Sequence, residues 1–162
     1  AVYVDDILIT RSDSTEIQHV KHHLHTKFGI KDLGKLHYFL GLEVSHTPQG
    51  VILSQQKFSK ELLTECGYTF KRPTSTHLPL NCKLLPDEGQ LLVDPTSYRT
   101  LVGKLNFLTH TRPDLCFNVQ HLSQFLQSPR TPHFEALSHT LSYIQGTLTH
   151  GILLKASNHL SL

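Results

Sequence analysis

Apolar and polar residues alternate with period two from the first residue. Val2 and Val4 alternate with Ala1 and Tyr3, and after Asp5-Asp6 the residues Ile7 and Ile9 alternate with Leu8 and Thr10. That pattern predicts a tight β-hairpin with the two carboxylates at its tip, lacking the glycine that a type I′ turn prefers. The period then lengthens. Asp13 or a neighbouring serine suits a helix N-cap with Glu16 at the capping-box position; Ile17, Val20, Leu24 and Phe28 follow helical spacing, and Gly29 is a terminator. Residues 32–44 read as one extended strand. Pro48-Gln49-Gly50 turns the chain, and Val51-Ile52-Leu53 returns. Gln55 to Cys66 fits a helix with Phe58, Leu62 and Cys66 on its apolar face.

Periodicity fails over residues 69–93, where Thr, Ser, Pro and Asn dominate, so this stretch reads as a linker and the best internal boundary. Beyond it the spacing is helical. Asp94 precedes Pro95, and Tyr98, Leu101, Val102, Leu105 and Leu108 make one face. Thr111-Arg112-Pro113-Asp114 interrupts, then Leu115, Val119, Leu122 and Leu126 continue. A third helix from Thr131-Pro132 places Phe134, Leu137, Leu141 and Ile144 inward and ends at Gly146, and residues 151–154 close as a short strand. Three amphipathic helices of this kind are expected to pack on one another. The fold class is α+β.

With 162 residues the chain can bury a real core. No apolar run approaches a membrane span. Three widely spaced cysteines (Cys66, Cys82 and Cys116) favour reduced thiols over a disulfide framework or a zinc site. A net charge of +2 leaves no strong nucleic-acid footprint in the composition. The thirteen histidines are its oddity, and they raise the charge as pH falls toward about 6. His19 and His23 stand four apart, a spacing that can chelate a transition metal; a solvated polar helix face is the preferred reading. The chain has no Met and opens on a strand, as expected of a piece of a longer reading frame.

Adjacent carboxylates held on a turn between apolar strands suit divalent-metal chemistry, because hard cations take oxygen ligands in strict geometry. As Tyr3-Val4-Asp5-Asp6 the stretch resembles the catalytic hairpin of reverse transcriptases. Further blocks resemble copia-type LTR-retrotransposon Pol polyproteins in order and spacing. They are residues 31–34 leading into Tyr38-Phe39-Leu40-Gly41-Leu42-Glu43-Val44, then residues 98–103 with residues 108–114, and finally His133 with residues 143–147.

The resemblance implies a partial reverse transcriptase: the C-terminal part of the palm at 1–54, a thumb-like helix and linker at 55–93, a helical thumb/connection region at 94–156, and the lead-in to a missing RNase H domain at 157–162. It implies that Asp5 and Asp6 are catalytic and metal-binding, with Asp5 the principal ligand. Tyr3, Tyr38, Phe39, Leu40, Gly41, Lys57 and Lys60 become candidates for nucleic-acid contact, and Arg99, Lys104 and Arg112 weaker candidates for phosphates. The parent would use Mg²⁺ or Mn²⁺, an RNA or DNA template-primer and dNTPs, within an intracellular particle or the nucleus, with no membrane partner. Fingers, and a first palm strand with its own Asp, are expected upstream, so this chain alone is expected not to polymerise. Two-metal transfer needs carboxylates from separate strands, and Asp13, Asp32, Asp94 and Asp114 are better explained as caps and turn residues.

Relatives in this family usually carry Arg and Lys where this chain has Ser138, His139, Ser142 and Gln145, and often Gly where it has Arg11. Fewer basic groups weaken electrostatic binding to nucleic acid. The alternative function is therefore a non-catalytic retroelement remnant with at most weak nucleic-acid binding.

Overall fold

The computed structural model describes residues 1–67, 72–79 and 83–156, in two compact units, 1–40 and 41–162. The expected lead-in at 157–162 and parts of the expected linker lie outside the described residues, as does Cys82.

The first unit opens with β1 (Val2–Tyr3) and β2 (Asp6–Ile7), followed by helix α1 (Ser14–Phe28) and a two-residue strand β3 (Tyr38–Phe39). Asp13 is the N-cap of α1: its carboxylate accepts from the amides of Thr15 (2.8 Å) and Glu16 (3.4 Å). Gly29 ends the helix at φ 63° and donates to the His25 carbonyl. Burial is thin here. Ile17 and Leu24 are half-buried, whereas Val20 and Phe28 on the same stripe are exposed. Arg11 ion-pairs with Glu16.

The extended strand expected over 32–44 is broken. Asp32 accepts from the Gly34 amide (2.9 Å) and from Lys21 (2.9 Å), making a local turn. Leu40 (φ 52°) and Gly41 (φ 81°) are consecutive left-handed residues, the backbone of a type I′ turn. Period-two patterning continues through such a turn, so it was hidden in the sequence.

In the second unit β4 (Leu42–Thr47) and β5 (Gly50–Ser54) form an antiparallel hairpin from Glu43↔Ser54 to Thr47↔Gly50, with Pro48-Gln49 at the tip. The other edge of β5 pairs antiparallel with β6 (Ile152–Lys155), from Gly50↔Lys155 to Leu53↔Ile152. Helix α2 (Gln56–Glu65) follows the hairpin, and α3 (Pro95–Leu108), a 3₁₀ turn (Pro113–Leu115), α4 (Cys116–Ser123) and α5 (Thr131–Gly146) complete the unit. The helical spacings meet in one core: Leu62, Tyr98, Val102, Leu105, Leu108, Leu115, Val119, Leu122, Leu137, Leu141 and Ile144 are buried together. At about 1.5–3 kcal/mol for each fully buried aliphatic side chain, this cluster is the main source of stability. Tyr98 needs its hydroxyl satisfied in that apolar setting, and it donates to the Leu122 carbonyl at 2.8 Å.

Residues 69–93, expected as a linker, are hydrogen-bonded at several described positions to α5 and to the residues just before it. Thr74 donates its amide to Ser142 Oγ (3.2 Å), which in turn donates to the Arg72 carbonyl (3.4 Å), and Thr140 Oγ1 donates to the His77 carbonyl (3.1 Å). Ser142 is buried and holds residues 72–74 through these bonds. A second strap, 84–92, wraps the start of α5. The Leu92 amide donates to the Pro129 carbonyl and the Thr131 amide to the Gln90 carbonyl, both at 2.9 Å. Arg130 donates to the carbonyls of Pro86 (2.8 Å) and Gly89 (2.7 Å).

Gly89 makes that wrap possible. Its φ is +80°, and a Cβ there would collide with the Pro132 ring and the Thr131 hydroxyl. Gly89→Ala should therefore destabilise the chain by about 1–3 kcal/mol. Thermal melts of the two proteins check this, and an unchanged melting temperature would contradict it.

Candidate functional site

The β1–β2 hairpin is held by the pairs Val2↔Ile7 and Tyr3↔Asp6, extended by the Ala1 terminal ammonium donating to the Leu8 carbonyl and the Leu8 amide to the Ala1 carbonyl, each at 2.8 Å. This register moves the tip by one residue. The turn is Val4-Asp5, not Asp5-Asp6. Asp6 is already a strand residue, opposite Tyr3 and on the same face of the hairpin. Asp5 occupies the apex beside it.

Val4 has φ 48°. A β-branched residue in the left-handed region carries about 1–2 kcal/mol of strain. The glycine that such a turn prefers is absent, and the strain falls on Val4. Val2, Tyr3 and Val4 are 73%, 57% and 79% exposed, so apolar groups flank the carboxylates in the open.

Two adjacent carboxylates have the right donor chemistry for a hard divalent cation. They are too few for a two-metal centre, which draws on carboxylates of separate strands. Among the described residues no group of three or more His, Cys, Asp or Glu could hold a metal ion. By number of carboxylates the hairpin alone does not make up a two-metal site.

The other candidates divide between the two units. Exposed Tyr38 (58%), half-buried Phe39 and exposed Leu40 belong to the first. Gly41, Lys57 and Lys60 belong to the second. Gly41 lies close to an aromatic ring: a Cβ there would sit 3.0 Å from Phe107 Cζ, and φ 81° also favours glycine. Phe107 in turn meets Phe58 edge-on at 5.0 Å between ring centroids. On α2, Lys57 and Lys60 are exposed and one turn apart, with Lys57 loosely paired to Glu61 (4.0 Å).

The weaker phosphate candidates are occupied within the fold. Arg99 donates to the carbonyls of Leu126 (2.7 Å) and Gln127 (3.1 Å), and Lys104 pairs with Glu65. Arg112 is almost fully buried: it grips Asp114 through Nε (3.0 Å) and Nη2 (2.8 Å) and the end of α5 through the Thr147 carbonyl (3.0 Å) and hydroxyl (2.9 Å). Its guanidinium lies over the Tyr143 ring, 5.5 Å from the centroid. The blocks at 108–114 and 143–147 are thus two halves of one structural clamp. Their recurrence together in the sequence was the available signal, but spacing alone cannot show that distant blocks touch. His133 was also missed as a structural residue, although its place three residues after Arg130, at a helix start marked by Pro132, is a capping-box position.

A family model described as reverse transcriptase (RNA-dependent DNA polymerase) matches residues 1–79. The retrovirus-related Pol polyproteins from transposons RE2 and RE1 of Arabidopsis thaliana are each 44% identical over 161 residues, covering 99% of this chain and 11% of those proteins. An uncharacterized mitochondrial protein of the same plant is 36% identical over 161 residues, 99% of this chain and 67% of that protein. No solved structure matches the chain. The chain belongs to the reverse transcriptase family, and within it to the Pol polyproteins of copia-type retrotransposons. It spans 11% of the length of the RE1 and RE2 polyproteins it matches. Its family depends in general on divalent metal. No helix among the described residues is long and apolar enough to cross a membrane.

Proposed function

We propose that this chain is the part of an RNA-directed DNA polymerase that carries the catalytic hairpin and the region after it, and that it works only within a longer Pol polyprotein. The observation that carries the reading is the exposed Tyr3-Val4-Asp5-Asp6 hairpin inside the segment matched by the reverse transcriptase family model. Asp5, at the apex, is the principal metal ligand, and Asp6, beside Tyr3, supports it. Mg²⁺ or Mn²⁺ would neutralise charge on the reacting phosphates, with the remaining ligands coming from outside this chain.

Residues 1–54 then act as the C-terminal part of a palm, 55–93 as a thumb-like helix and its strapped extension, and 94–156 as a thumb/connection body; 157–162 would lead toward RNase H. Tyr3, Tyr38, Phe39, Leu40 and Gly41 offer aromatic and close-approach contacts to a primer end, and Lys57 and Lys60 offer charge to phosphates. Template-primer and dNTP are the partners of the assembled protein. The second reading, a non-catalytic remnant, draws support from Arg99, Lys104 and Arg112, whose charges are engaged inside the fold.

The deciding experiment is RNA-templated primer extension in Mg²⁺ and in Mn²⁺, comparing this chain alone with a Pol polyprotein carrying it in place. Extension by the longer protein only is the expected result. Extension by the isolated chain would show that it is catalytically complete, and extension by neither would favour the remnant.

A further inference from the structure

His133 stands at the start of α5 with no exposed surface. The Arg130 amide donates to its Nδ1 at 2.9 Å, and its Nε2 lies 3.1 Å from the Leu85 carbonyl. An amide N–H can only donate, so Nδ1 is bare. A carbonyl can only accept, so Nε2 carries the hydrogen. These partners select one neutral tautomer, and the ring so held joins the α5 N-terminus to the strap 84–92. The Phe125 ring stacks on it at 3.9 Å between centroids and 16° between planes.

We propose that His133 is the sensor of a proton-operated latch that holds the strap 84–92 over the start of α5 at neutral pH and releases it on protonation. A proton has one place to go, Nδ1. There it turns an acceptor into a donor facing the Arg130 amide, so the capping box is lost. The resulting cation also sits at a helix N-terminus, where the macrodipole opposes positive charge. It lies beside Arg130, whose guanidinium holds the strap through Pro86 and Gly89. Repulsion between the two cations acts directly on that grip.

The charged and titratable groups around the ring offer the imidazolium little. Arg130 at the cap and His121 on α4 both oppose it. On the strap, Asp87 is drawn to Arg130 at 3.9 Å, while Lys83 and Glu88 line the adjoining cleft with Glu135 and His139 of α5. Burial foremost, then the charges of Arg130 and His121, hold the His133 pKa below its ordinary 6.5, against the opposing pull of the Leu85 hydrogen bond. The sign follows. The unfolded or released ring binds a proton more readily than the latched one, so the latch is fully closed above 6.5 and weakens as pH falls below it.

Hydrogen exchange of peptides spanning residues 84–92 and 129–133, corrected for the chemical exchange rate and compared at about pH 7.5 and 5.5, tests the latch. The wild-type strap should lose protection at the lower pH by up to about tenfold, because about pH 5.5 lies one unit below the ordinary imidazole value of 6.5. The α3 core peptides should hold theirs. His133→Gln keeps an acceptor for the Arg130 amide and a donor for Leu85 without titrating, so its strap should stay protected at both pH values. Unchanged wild-type protection, or an equal loss in His133→Gln, would overturn the proposal. If His133→Gln does not fold, ¹⁵N NMR of the wild-type ring decides. Proton uptake at Nδ1 that coincides with loss of Leu92 amide protection supports the latch, and uptake that leaves that amide unmoved refutes it.

Discussion

Asp5→Asn, made in a Pol polyprotein that carries this chain and extends primers, should reduce synthesis by about a thousandfold or more. The substitution keeps the shape of the side chain and removes the negative charge on which divalent-cation binding rests. Charge stabilisation by a catalytic metal is worth several kcal/mol, and each ~1.36 kcal/mol is tenfold in rate. Asp6→Asn should cost less, because Asp6 lies in the strand opposite Tyr3 and not at the apex. Neither change should move stability by more than about 0.5 kcal/mol, since both residues are exposed on a hairpin tip. Primer-extension rates beside urea denaturation curves separate the two effects. Full activity in Asp5→Asn would remove Asp5 from the mechanism, and equal losses at both positions would undo their ranking.

Arg112→Ala has the largest expected effect on the fold. The guanidinium is buried and makes four hydrogen bonds, two to Asp114 and two to Thr147, and so ties the 3₁₀ turn to the C-terminal end of α5. A cation at that end also meets the negative pole of the helix. Truncation leaves the Asp114 carboxylate, partly open to solvent and also bonded by Tyr143 Oη at 3.0 Å, without its counter-charge. Breaking a fully buried pair costs about 3–5 kcal/mol; with Asp114 partly screened by solvent, the expected cost here is about 3 kcal/mol. In urea, with a slope of about 2 kcal/mol per M, the midpoint should fall by roughly 1.5 M. Arg112→Lys should recover only part of the loss, because an ammonium cannot reproduce the two-pronged contact. A midpoint shift under about 0.5 M for Arg112→Ala would show that the clamp is incidental.

The same clamp carries an acid dependence. Burial alone would raise the Asp114 carboxyl pKa, but the hydrogen bonds and charge of Arg112, with Tyr143, outweigh it and hold the group below its usual range. Its contribution is therefore complete above the ordinary value of 3.8 and is lost as pH falls through the depressed one.

Much of the chain was legible before any coordinates. Helices α1, α3 and α5 follow their apolar spacing and their signals at Asp13, Asp94, Pro95 and Pro132, because helix formation is decided within one or two turns of the sequence. The β4–β5 hairpin follows from Pro48-Gln49 for the same reason. Errors arose where period-two patterning runs through a turn. Val4, Leu40 and Gly41 take left-handed backbone that alternation does not record, so alternation puts one tip a residue late and extends one strand too far. The candidate site was visible as Asp5-Asp6 within a recurring motif, whereas its neighbours in space were not.

By itself the sequence determined the family, the α+β class, the helices and the placement of two carboxylates on a tight turn, all of which depend on local order along the chain. Tertiary structure decided what brings distant segments together: β6 beside β5, residues 72–92 strapped to α5, Arg112 buried against Thr147, and His133 locked into one tautomer by Arg130 and Leu85. Those contacts depend on which unpaired backbone groups and charges remain once the core has closed, and a buried polar group must take the partner that packing leaves within its reach.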